Sequence, residues 1–248
     1  MEQSISRWPK VIAHRGVHVS VPENSLSSLR VAADRGARYV ELDIQLSKSD
    51  EAMVFHDDSL RPLIDVKGKV SQFTTNELVG FRLRHRQSAL ESDDRIPTLE
   101  QWLQLAAKLK IGLNIELKGE VRNRLLVERT VALLQQNWSD DLPVPVLSSF
   151  TLDSLRHLQR LSLPYQHALL LERWPWRGLP KLLSHPLCVA VHISKEMATE
   201  KRVQRLLALG KRVCCYTVND IDLAQALFDM GVQSVFTDNP DLLARYQS

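Results

Sequence analysis

The sequence has 248 residues, of which 44% are hydrophobic and 25% charged, and its formal net charge is +3. This composition is typical of a globular chain with a sizeable core, and it excludes a disordered one. The length allows one large barrel or two small domains. The small net charge and the lack of a long lysine- and arginine-rich run argue against nucleic acid as a partner. A local basic cluster for an anionic substrate stays open.

The cysteines and the amino-terminal segment bear on the cellular compartment. Cys188, Cys214 and Cys215 are too few for a disulfide framework, and their spacing does not match a zinc site. Residues 1–10 contain no apolar segment of the kind found in signal peptides, and no run is long enough to span a membrane. We therefore expect a cytoplasmic protein without membrane insertion.

The first predicted unit is a strand, a helix and a second strand, in the order typical of parallel sheets. Val11–Ala13 is a short apolar run that predicts a buried strand. Asn24 or Ser25 can cap the helix, and Gly36 can end it in the left-handed conformation. The second strand is Tyr39–Leu46, which is where the polar residues of the sequence concentrate.

The second strand continues into a hairpin. Its residues alternate, so Glu41 and Asp43 share one face. The turn at residues 47–51 is too short for a parallel crossover, so the run that follows it pairs antiparallel. Folding the chain about this turn brings His56 opposite Leu42 or Asp43. Two carboxylates and a histidine are thus predicted to meet within a few residues of sheet.

Residues 58–97 interrupt the alternation of strands and helices. They are polar and contain Gly68, Gly80 and the basic stretch at residues 82–86. We expect an insertion of mixed short elements rather than a second domain, so that residues 1–248 form a single domain. We interpret the basic stretch as a solvated loop.

Strands and helices alternate regularly after the insertion. Thr98 and Gln101 predict a capping box that opens the next helix. Including the first two strands, the predicted strands begin near residues 11, 39, 111, 144, 167, 188, 212 and 234. Eight strands that alternate with helices in about 250 residues predict an α/β fold of the (β/α)8 TIM-barrel type. A doubly wound open sheet is the alternative, but no glycine-rich phosphate loop follows the first strand.

In such a barrel the chemistry lies at the carboxyl ends of the strands. The polar side chains that fall there on the first three barrel strands and the hairpin are His14, Arg15, Glu41, Asp43, His56, Glu116 and Lys118. Carboxylates without thiol partners suit Mg²⁺ or Ca²⁺, and arginine and lysine suit a phosphate group. Two histidines suit a general acid and a general base. Together these residue types predict hydrolysis of a phosphate ester.

Each of these residues also has a structural interpretation. A lone histidine at a strand end is commonly a hydrogen-bonded structural residue, and Glu116 and Lys118 could neutralise each other inside the barrel. The motif Pro22-Glu23-Asn24-Ser25 could be only the start of a helix. The common position of these residues at neighbouring strand ends favours the functional interpretation.

The sequence resembles the glycerophosphodiester phosphodiesterase family over nearly its whole length. The matching motifs are His14-Arg15-Gly16, Pro22-Glu23-Asn24-Ser25, Glu41-Leu42-Asp43, His56-Asp57, Ile96-Pro97-Thr98-Leu99, Glu116-Leu117-Lys118, Ser148-Ser149-Phe150, Thr217-Val218-Asn219 and Thr237-Asp238-Asn239-Pro240. Each motif is short, but their number and order make the resemblance specific. One departure is Tyr216, where many relatives have tryptophan, and this bears on substrate preference.

The resemblance implies a TIM barrel with a small insertion, one divalent cation (Mg²⁺ or Ca²⁺) and a small-molecule glycerophosphodiester as substrate. Carried over by position, the implied roles are metal binding for Glu41, Asp43 and Glu116, acid–base catalysis for His14 and His56, phosphate binding for Arg15 and Lys118, and support of the site for Glu23. The compact chain resembles the bacterial cytoplasmic enzymes of the family. The oligomeric state is left open.

The implied reaction is hydrolysis of glycerophosphodiesters to sn-glycerol 3-phosphate and an alcohol such as choline or ethanolamine. Either water or the glycerol 2-hydroxyl can act as nucleophile. One alternative is a lyase of the same barrel type that stops at the cyclic phosphate. Another is a phosphodiester-binding module without catalysis, which predicts a missing histidine or carboxylate, and none is missing. Trp174 or Trp176, after the fifth strand, is predicted to form a wall of the substrate pocket.

Overall fold

The computed structural model describes residues 8–88, 90–119, 122–161, 163–175 and 178–246. The strands are β1 (Val11–Ala13), β2 (Tyr39–Leu46), β3 (Ala52–Val54), β4 (Arg82–Arg84), β5 (Glu91–Arg95), β6 (Gly112–Leu117), β7 (Val146–Ser149), β8 (Gln166–Leu171), β9 (Cys188–Ser194), β10 (Arg212–Tyr216) and β11 (Ser234–Thr237). The helices are α1 (Leu26–Asp34), α2 (Thr75–Leu78), α3 (Leu99–Leu109), α4 (Asn123–Asn137), α5 (Leu152–Leu161), α6 (Leu179–Leu182), α7 (Glu200–Leu207), α8 (Ile221–Asp229) and α9 (Pro240–Arg245). Short 3₁₀ turns lie at Val70–Gln72 and Lys195–Met197.

Eight of the strands form a closed parallel barrel. They follow one another around it in the order β1, β2, β6, β7, β8, β9, β10 and β11. The barrel closes because β1 pairs in parallel with both β11 and β2, in the registers Val11 to Val235 and Ala13 to Val40. Helices lie between successive strands, so the predicted (β/α)8 TIM barrel is confirmed.

Local sequence signals set the ends of the helices. The Ser25 hydroxyl accepts a hydrogen bond from Ser28 N at the start of α1, and Gly36 after its end has a φ of +77°. Thr98 and Gln101 form the capping box of α3. These predicted signals are therefore confirmed: Ser25 and Thr98 mark the starts of α1 and α3, and Gly36 follows the end of α1.

The hydrophobic core has two layers, one on each side of the barrel wall. Inside the barrel, Ile12, Tyr39, Cys214 and Phe236 pack together with Trp8. Outside, the outward-facing residues of the strands pack against the apolar faces of the surrounding helices. The inner layer fills the interior of the barrel, so the barrel is a packed core and not a pore. Among the described residues, no helix combines the length and the apolar character needed to cross a membrane.

The hairpin follows the predicted register. β3 pairs antiparallel with β2, with Ile44 opposite Val54, and Phe55 N donates to Asp43 O at 2.9 Å. Continuing this register by one residue places His56 opposite Leu42, one of the two predicted positions. The histidine therefore reaches the mouth beside the acidic residues of β2.

Residues 58–97 contain short elements, and their apolar side chains form a small hydrophobic cluster together with Met53 and Phe55 of the hairpin. The basic stretch at residues 82–86 is not a solvated loop, so that interpretation is wrong. Its first residues form β4, which pairs with β5, and Leu83 is buried in the cluster. Arg86, the last residue of the stretch, donates hydrogen bonds to the carboxylates of Glu23 and Asp57 at the barrel mouth. These two contacts are the physical reason why the stretch lies against the barrel.

Candidate active site

Six of the polar residues predicted from the strand ends meet in one cavity at the barrel mouth. This inner cavity has a volume of about 110 Å³. It is lined by His14, Arg15, Glu41, His56, Asn114, Glu116, Lys118, Phe150, Leu170, His192, Tyr216, Thr217 and Phe236. Asp43 lies beside it, whereas Glu23 is buried behind Arg15 and does not line it.

Three carboxylates form a compact cluster on β2 and β6. Glu41 and Asp43 lie on one face of β2, and Glu116 is directly opposite Asp43 on β6. Each of the three offers one oxygen, and these oxygens lie within 4.8 Å of one another. The side chains are almost inaccessible, with 4%, 1% and 8% of the surface of Glu41, Asp43 and Glu116 exposed. Hard oxygen ligands at this spacing fit a divalent cation.

The electrostatics of the cluster supports the same conclusion. Burial and repulsion from Asp43 and Glu116 raise the pKa of Glu41 well above its ordinary value. Burial, together with repulsion from Asp43, raises the pKa of Glu116 to about 7. Burial also opposes ionisation of Asp43, but Arg15, His56 and Lys118 outweigh it and lower that pKa. Three buried carboxylates are thus short of positive charge, and a cation would satisfy them.

Arg15 and Lys118 lie against the carboxylate cluster. Arg15 N donates to Glu41 at 3.1 Å, its Nη1 donates to Glu23 at 2.8 Å, and its Nε lies 3.3 Å from Asp43. Lys118 Nζ lies 3.6 Å from Glu116 and 4.0 Å from Asp43. Both cationic groups also line the inner cavity, so they are positioned to meet an anionic ligand there.

The backbone after β1 is shaped to deliver His14 and Arg15 to the mouth. Arg15 and Asn24 both have positive φ angles, and Asn24 N donates to Arg15 O at 3.0 Å. Gly16 has a φ of +80°, and a Cβ there would lie 2.7 Å from the backbone carbon of Ser28. Only glycine therefore allows the loop to pass this close to α1.

His14 is held by an aspartate from the last strand of the barrel. Its Nδ1 lies 2.7 Å from Asp238 Oδ1, and its Nε2 lies 3.9 Å from Glu41. Asp238 also accepts hydrogen bonds from His18 Nε2 at 3.1 Å and from Asn219 Nδ2 at 2.9 Å. Burial opposes ionisation of Asp238, but these hydrogen bonds outweigh it and hold its pKa far below the usual range. An ionised carboxylate only accepts, so His14 Nδ1 carries the proton of this hydrogen bond.

His56 is also held by an aspartate, which is the next residue in the sequence. Its Nδ1 lies 2.7 Å from Asp57 Oδ1, and Arg86 Nη2 donates to Asp57 Oδ2 at 2.8 Å. The same Arg86 Nη2 donates to Glu23 at 2.9 Å. Burial opposes ionisation of Asp57, but the bonds from His56 and Arg86 lower its pKa to about 2. The insertion thus supports both His56 and, through Glu23, Arg15.

The remaining wall of the inner cavity is neutral. Phe150, with 41% of its surface exposed, packs edge-to-face against Tyr216, whose hydroxyl donates to Leu171 O. Asn114 Oδ1 and His192 Nε2 are buried and have no hydrogen-bond partner among the described residues. These two groups are available to a polar ligand or water at the floor of the cavity.

A second pocket, the outer pocket, lies beside the inner cavity and shares three of its wall residues. Its volume is about 580 Å³. It is lined by Gln45, Leu46, Lys48, Asp58, Lys69, Ser71, Glu116, Leu117, Lys118, Gly119, Arg122, Phe150 and Thr151. The shared residues are Glu116, Lys118 and Phe150, so the two spaces are neighbours at the mouth.

The predicted tryptophan wall is not found at Trp174. This side chain packs against the outer core, and the Arg202 guanidinium lies 5.2 Å from its ring centroid. It lines neither the inner cavity nor the outer pocket. Trp176 lies outside the described residues, so the prediction stays open for that residue. Phe150 and Tyr216 provide the aromatic surface instead.

Several residues at the site had no role in the sequence prediction. Asp57 and Asp238 stand inside the matching motifs. For Asp57 the signal is its position directly after His56, and for Asp238 it is its position directly after the last predicted strand. Arg86 was present in the basic stretch but carried no signal for its carboxylate partners. Phe150 directly follows β7, and a position at the end of a barrel strand is the signal that the other site residues carry.

Comparison with known proteins decides the family. The model of the glycerophosphoryl diester phosphodiesterase family matches residues 14–242. The chain belongs to this family. Glycerophosphodiester phosphodiesterases are enzymes, so the chain is an enzyme as well. The alternative of a binding module without catalysis is not supported, because the predicted histidines and carboxylates are all present at the mouth.

Individual family members match over nearly their whole length. The glycerophosphodiester phosphodiesterase of Caldanaerobacter subterraneus subsp. tengcongensis is 27% identical over 238 residues, which cover 94% of this chain and 95% of that protein. The enzyme of the same name from Bacillus altitudinis is 28% identical over 244 residues, with coverages of 94% and 95%. A phosphodiesterase of Oleispira antarctica was solved in complex with the product sn-glycerol-3-phosphate. It is 30% identical, with a TM-score of 0.89 over 97% of this chain and 98% of that one.

Proposed function

We propose that the protein hydrolyses glycerophosphodiesters to sn-glycerol 3-phosphate and an alcohol, with one divalent cation and two histidines. The observation that supports this most directly is the juxtaposition of three buried carboxylates with two aspartate-bound histidines around one cavity. The complex of the Oleispira antarctica phosphodiesterase with sn-glycerol-3-phosphate supports the same product. The volume of the inner cavity suits a small polyol phosphate.

Glu41, Asp43 and Glu116 would hold the cation, which we propose to be Mg²⁺ or Ca²⁺ because all three ligands are carboxylates. When bound, such an ion neutralises the cluster and polarises a phosphate oxygen. Lys118 and Arg15 supply further positive charge at the cavity wall for the phosphate. Glu23 holds Arg15 in place by accepting its Nη1–H. We assign Glu23 this supporting role.

His14 and His56 are the proposed acid–base pair. Each Nδ1 is engaged by an aspartate, which leaves each Nε2 to exchange a proton with the substrate. One imidazole takes the proton of the nucleophile, and the other gives a proton to the departing alcohol oxygen. Both water and the glycerol 2-hydroxyl are compatible nucleophiles. If the 2-hydroxyl attacks, the cyclic phosphate is opened by water in a second step.

The test is a coupled assay for sn-glycerol 3-phosphate, run across several head groups with a chelator and with Mg²⁺ or Ca²⁺ added back. We expect the chelator to abolish activity and Glu116→Ala to remain inactive with either ion. Glu100→Ala, which removes an exposed carboxylate on α3, is the matched control and keeps full activity. Full activity of Glu116→Ala in metal-depleted buffer would exclude the proposed metal site. A cyclic phosphate that persists in the phosphorus NMR spectrum would identify a lyase instead.

We also propose that the enzyme works in the cytoplasm as one domain, with residues 58–97 as part of the site. Cys188, Cys214 and Cys215 are all free and buried, which suits a reducing compartment. Burial raises the pKa of the Cys214 thiol to about 12, so this thiol stays protonated at neutral pH. Cell fractionation with an antibody against the native chain tests the location, and recovery in a membrane pellet or the culture medium would contradict it.

A further inference from the structure

The outer pocket is large enough to receive a part of the substrate that the inner cavity does not hold. Its volume of about 580 Å³ falls within the usual range for small-molecule sites. The inner cavity, at about 110 Å³, has about a fifth of that volume. A glycerol phosphate at the carboxylate cluster therefore leaves its alcohol group outside the inner cavity. The outer pocket is the adjoining space, because it shares Glu116, Lys118 and Phe150 with the inner cavity.

The outer pocket has an excess of positive charge. Lys48 and Lys69 line it, and neither ammonium group lies within 4 Å of a carboxylate oxygen among the described residues. Lys48 does act on Glu77 at longer range, since it contributes to the lowered pKa of that residue. Asp58 is the one lining carboxylate besides the shared Glu116. Arg122 also lines the pocket, but it forms an ion pair with Asp50 and donates to Ser47 O, so its charge is already balanced.

The backbone of each of the two lysines is fixed by a hydrogen bond. Lys48 N donates to Phe73 O at 2.8 Å, which ties the hairpin turn to the insertion. Lys69 N donates to the Gln72 side chain at 2.8 Å at the start of the 3₁₀ turn. Both lysines are exposed at the wall of the outer pocket.

We propose that the outer pocket binds the alcohol half of the substrate and favours an alcohol that carries an anionic group of its own. This inference rests on the proposed function and adds the substrate class. The anionic group can be a carboxylate or a second phosphate, because lysine binds either as a point charge. A cationic choline or ethanolamine group gains nothing from Lys48 and Lys69.

Two matched pairs of substrates test the preference. Glycerophosphoserine differs from glycerophosphoethanolamine by one carboxylate, and bis(glycerophospho)glycerol differs from glycerophosphoglycerol by a second glycerophosphate. We expect kcat/KM for the anionic member to exceed that of its partner by roughly two- to tenfold, the effect of one or two exposed ion pairs. A preference in the serine pair alone, or in the phosphate pair alone, identifies which anion the pocket takes. The preference should fall as salt is raised.

Variants then attribute the preference to the pocket. In Lys48→Gln/Lys69→Gln, kcat/KM falls more for the anionic substrate than for its partner, and the ratio approaches one. Lys69→Glu lowers the ratio further. Lys67→Gln is the matched control, because Lys67 is exposed on the same loop but lines neither cavity, and it keeps the wild-type ratio.

The outcomes separate this inference from the proposed function. If all four diesters are hydrolysed but both ratios are near one, or if the lysine variants leave the ratios unchanged, the inference is wrong and the proposed function stands. If none of the diesters is hydrolysed with Mg²⁺ or Ca²⁺, the proposed function fails and the inference fails with it. A wild-type preference for glycerophosphoethanolamine over glycerophosphoserine would also overturn the inference.

Discussion

His14 and His56 each place Nδ1 at 2.7 Å from an aspartate oxygen, but the two aspartates come from different parts of the molecule. Asp238 follows β11 and reaches His14 across the seam where the barrel closes, 224 residues away along the chain. Asp57 is the next residue after His56. One pair thus depends on the closure of the barrel and the other on a local turn.

The supports of the two aspartates differ in the same way. Asp238 is held by Asn219, through both its backbone N and its carboxylate, within the barrel. Asp57 is held by Arg86, which belongs to the insertion. Equal geometry at the two imidazoles therefore has unequal causes: the barrel itself orients His14, and the insertion helps to orient His56.

The largest expected effect is loss of either histidine. His14→Ala and His56→Ala should each lower kcat by about 10²- to 10⁴-fold, the usual range for general acid–base catalysis. The two losses should differ with the leaving group, because a nitrophenyl ester needs no proton on departure. That substrate should largely rescue the variant without the acid and should not rescue the variant without the base.

Circular dichroism of both histidine variants is the control for folding, and the comparison is made at one fixed metal concentration. If a nitrophenyl substrate rescues neither variant, or both equally, the two histidines do not have divided roles. That result would leave the family assignment untouched.

The next effect separates the two aspartates. Asp238→Asn and Asp57→Asn each replace a pure acceptor by an amide, which no longer favours the protonated Nδ1. Loss of a carboxylate that orients a site histidine lowers activity by about 10- to 100-fold. We expect the larger loss of kcat for Asp238→Asn, because Asp238 also accepts hydrogen bonds from His18 and Asn219, which the change disturbs as well. Equal losses would show that the origin of the aspartate does not matter.

A smaller effect is expected at Arg86. Arg86→Gln removes hydrogen bonds to Asp57 and Glu23, and we expect kcat to fall about fivefold to tenfold, the scale of one coupled polar contact. Combined with Asp57→Asn the losses should be less than additive, since both act on His56. Combined with Asp238→Asn they should add. Additivity in both double variants would mean that the insertion does not orient His56. Arg84→Gln, on the same stretch, is the control and should leave kcat unchanged.

The smallest expected effect is on stability and not on activity. It concerns His192, a buried histidine that has no carboxylate partner among the described residues. Burial lowers the pKa of His192 to about 3, whereas an unfolded histidine has a pKa of about 6.5. Between these values the unfolded chain binds a proton that the native chain does not, so stability falls as pH falls from 6.5 towards 3. Burial and the neighbouring His185 also lower the pKa of His167, to about 4, which adds to the same trend.

His192→Leu should therefore reduce the pH slope of the unfolding free energy between pH 6.5 and 4 by up to about 1.4 kcal/mol per pH unit, the value for one proton. Urea unfolding at several pH values measures this slope independently of any loss of packing. His157→Gln, on α5, is the control and should leave most of the slope in place. If the pH slope of the unfolding free energy is unchanged in His192→Leu, His192 does not stay neutral in the native protein over this pH range.

The sequence was sufficient for the barrel and for the residues at the strand ends. Apolar runs that alternate with capped helices reflect local geometry, and strand ends in a parallel barrel share one mouth whatever the details of packing. The position of His56 could be predicted for the same reason, because a hairpin register depends on a few consecutive residues.

Contacts between distant segments could not be predicted in the same way. Arg86 reads as one of several arginines in a basic stretch, and only the folded insertion shows that its partners are the buried Glu23 and Asp57. The tryptophan-rich loop shows the reverse, since Trp174 is placed by its contact with Arg202 on α7 rather than by its position after β8. Pairings of this kind depend on packing, which composition and periodicity do not encode.

The contact between His14 and Asp238 has a consequence for the synthesis of the protein. A chain emerges from the ribosome starting with its amino terminus, so His14 is exposed long before Asp238 has been added. A nascent chain that still lacks β11 has a first strand without one of its neighbours and a histidine without its aspartate. The His14–Asp238 pair therefore cannot form until the segment that carries Asp238 has been synthesised and has folded onto β1.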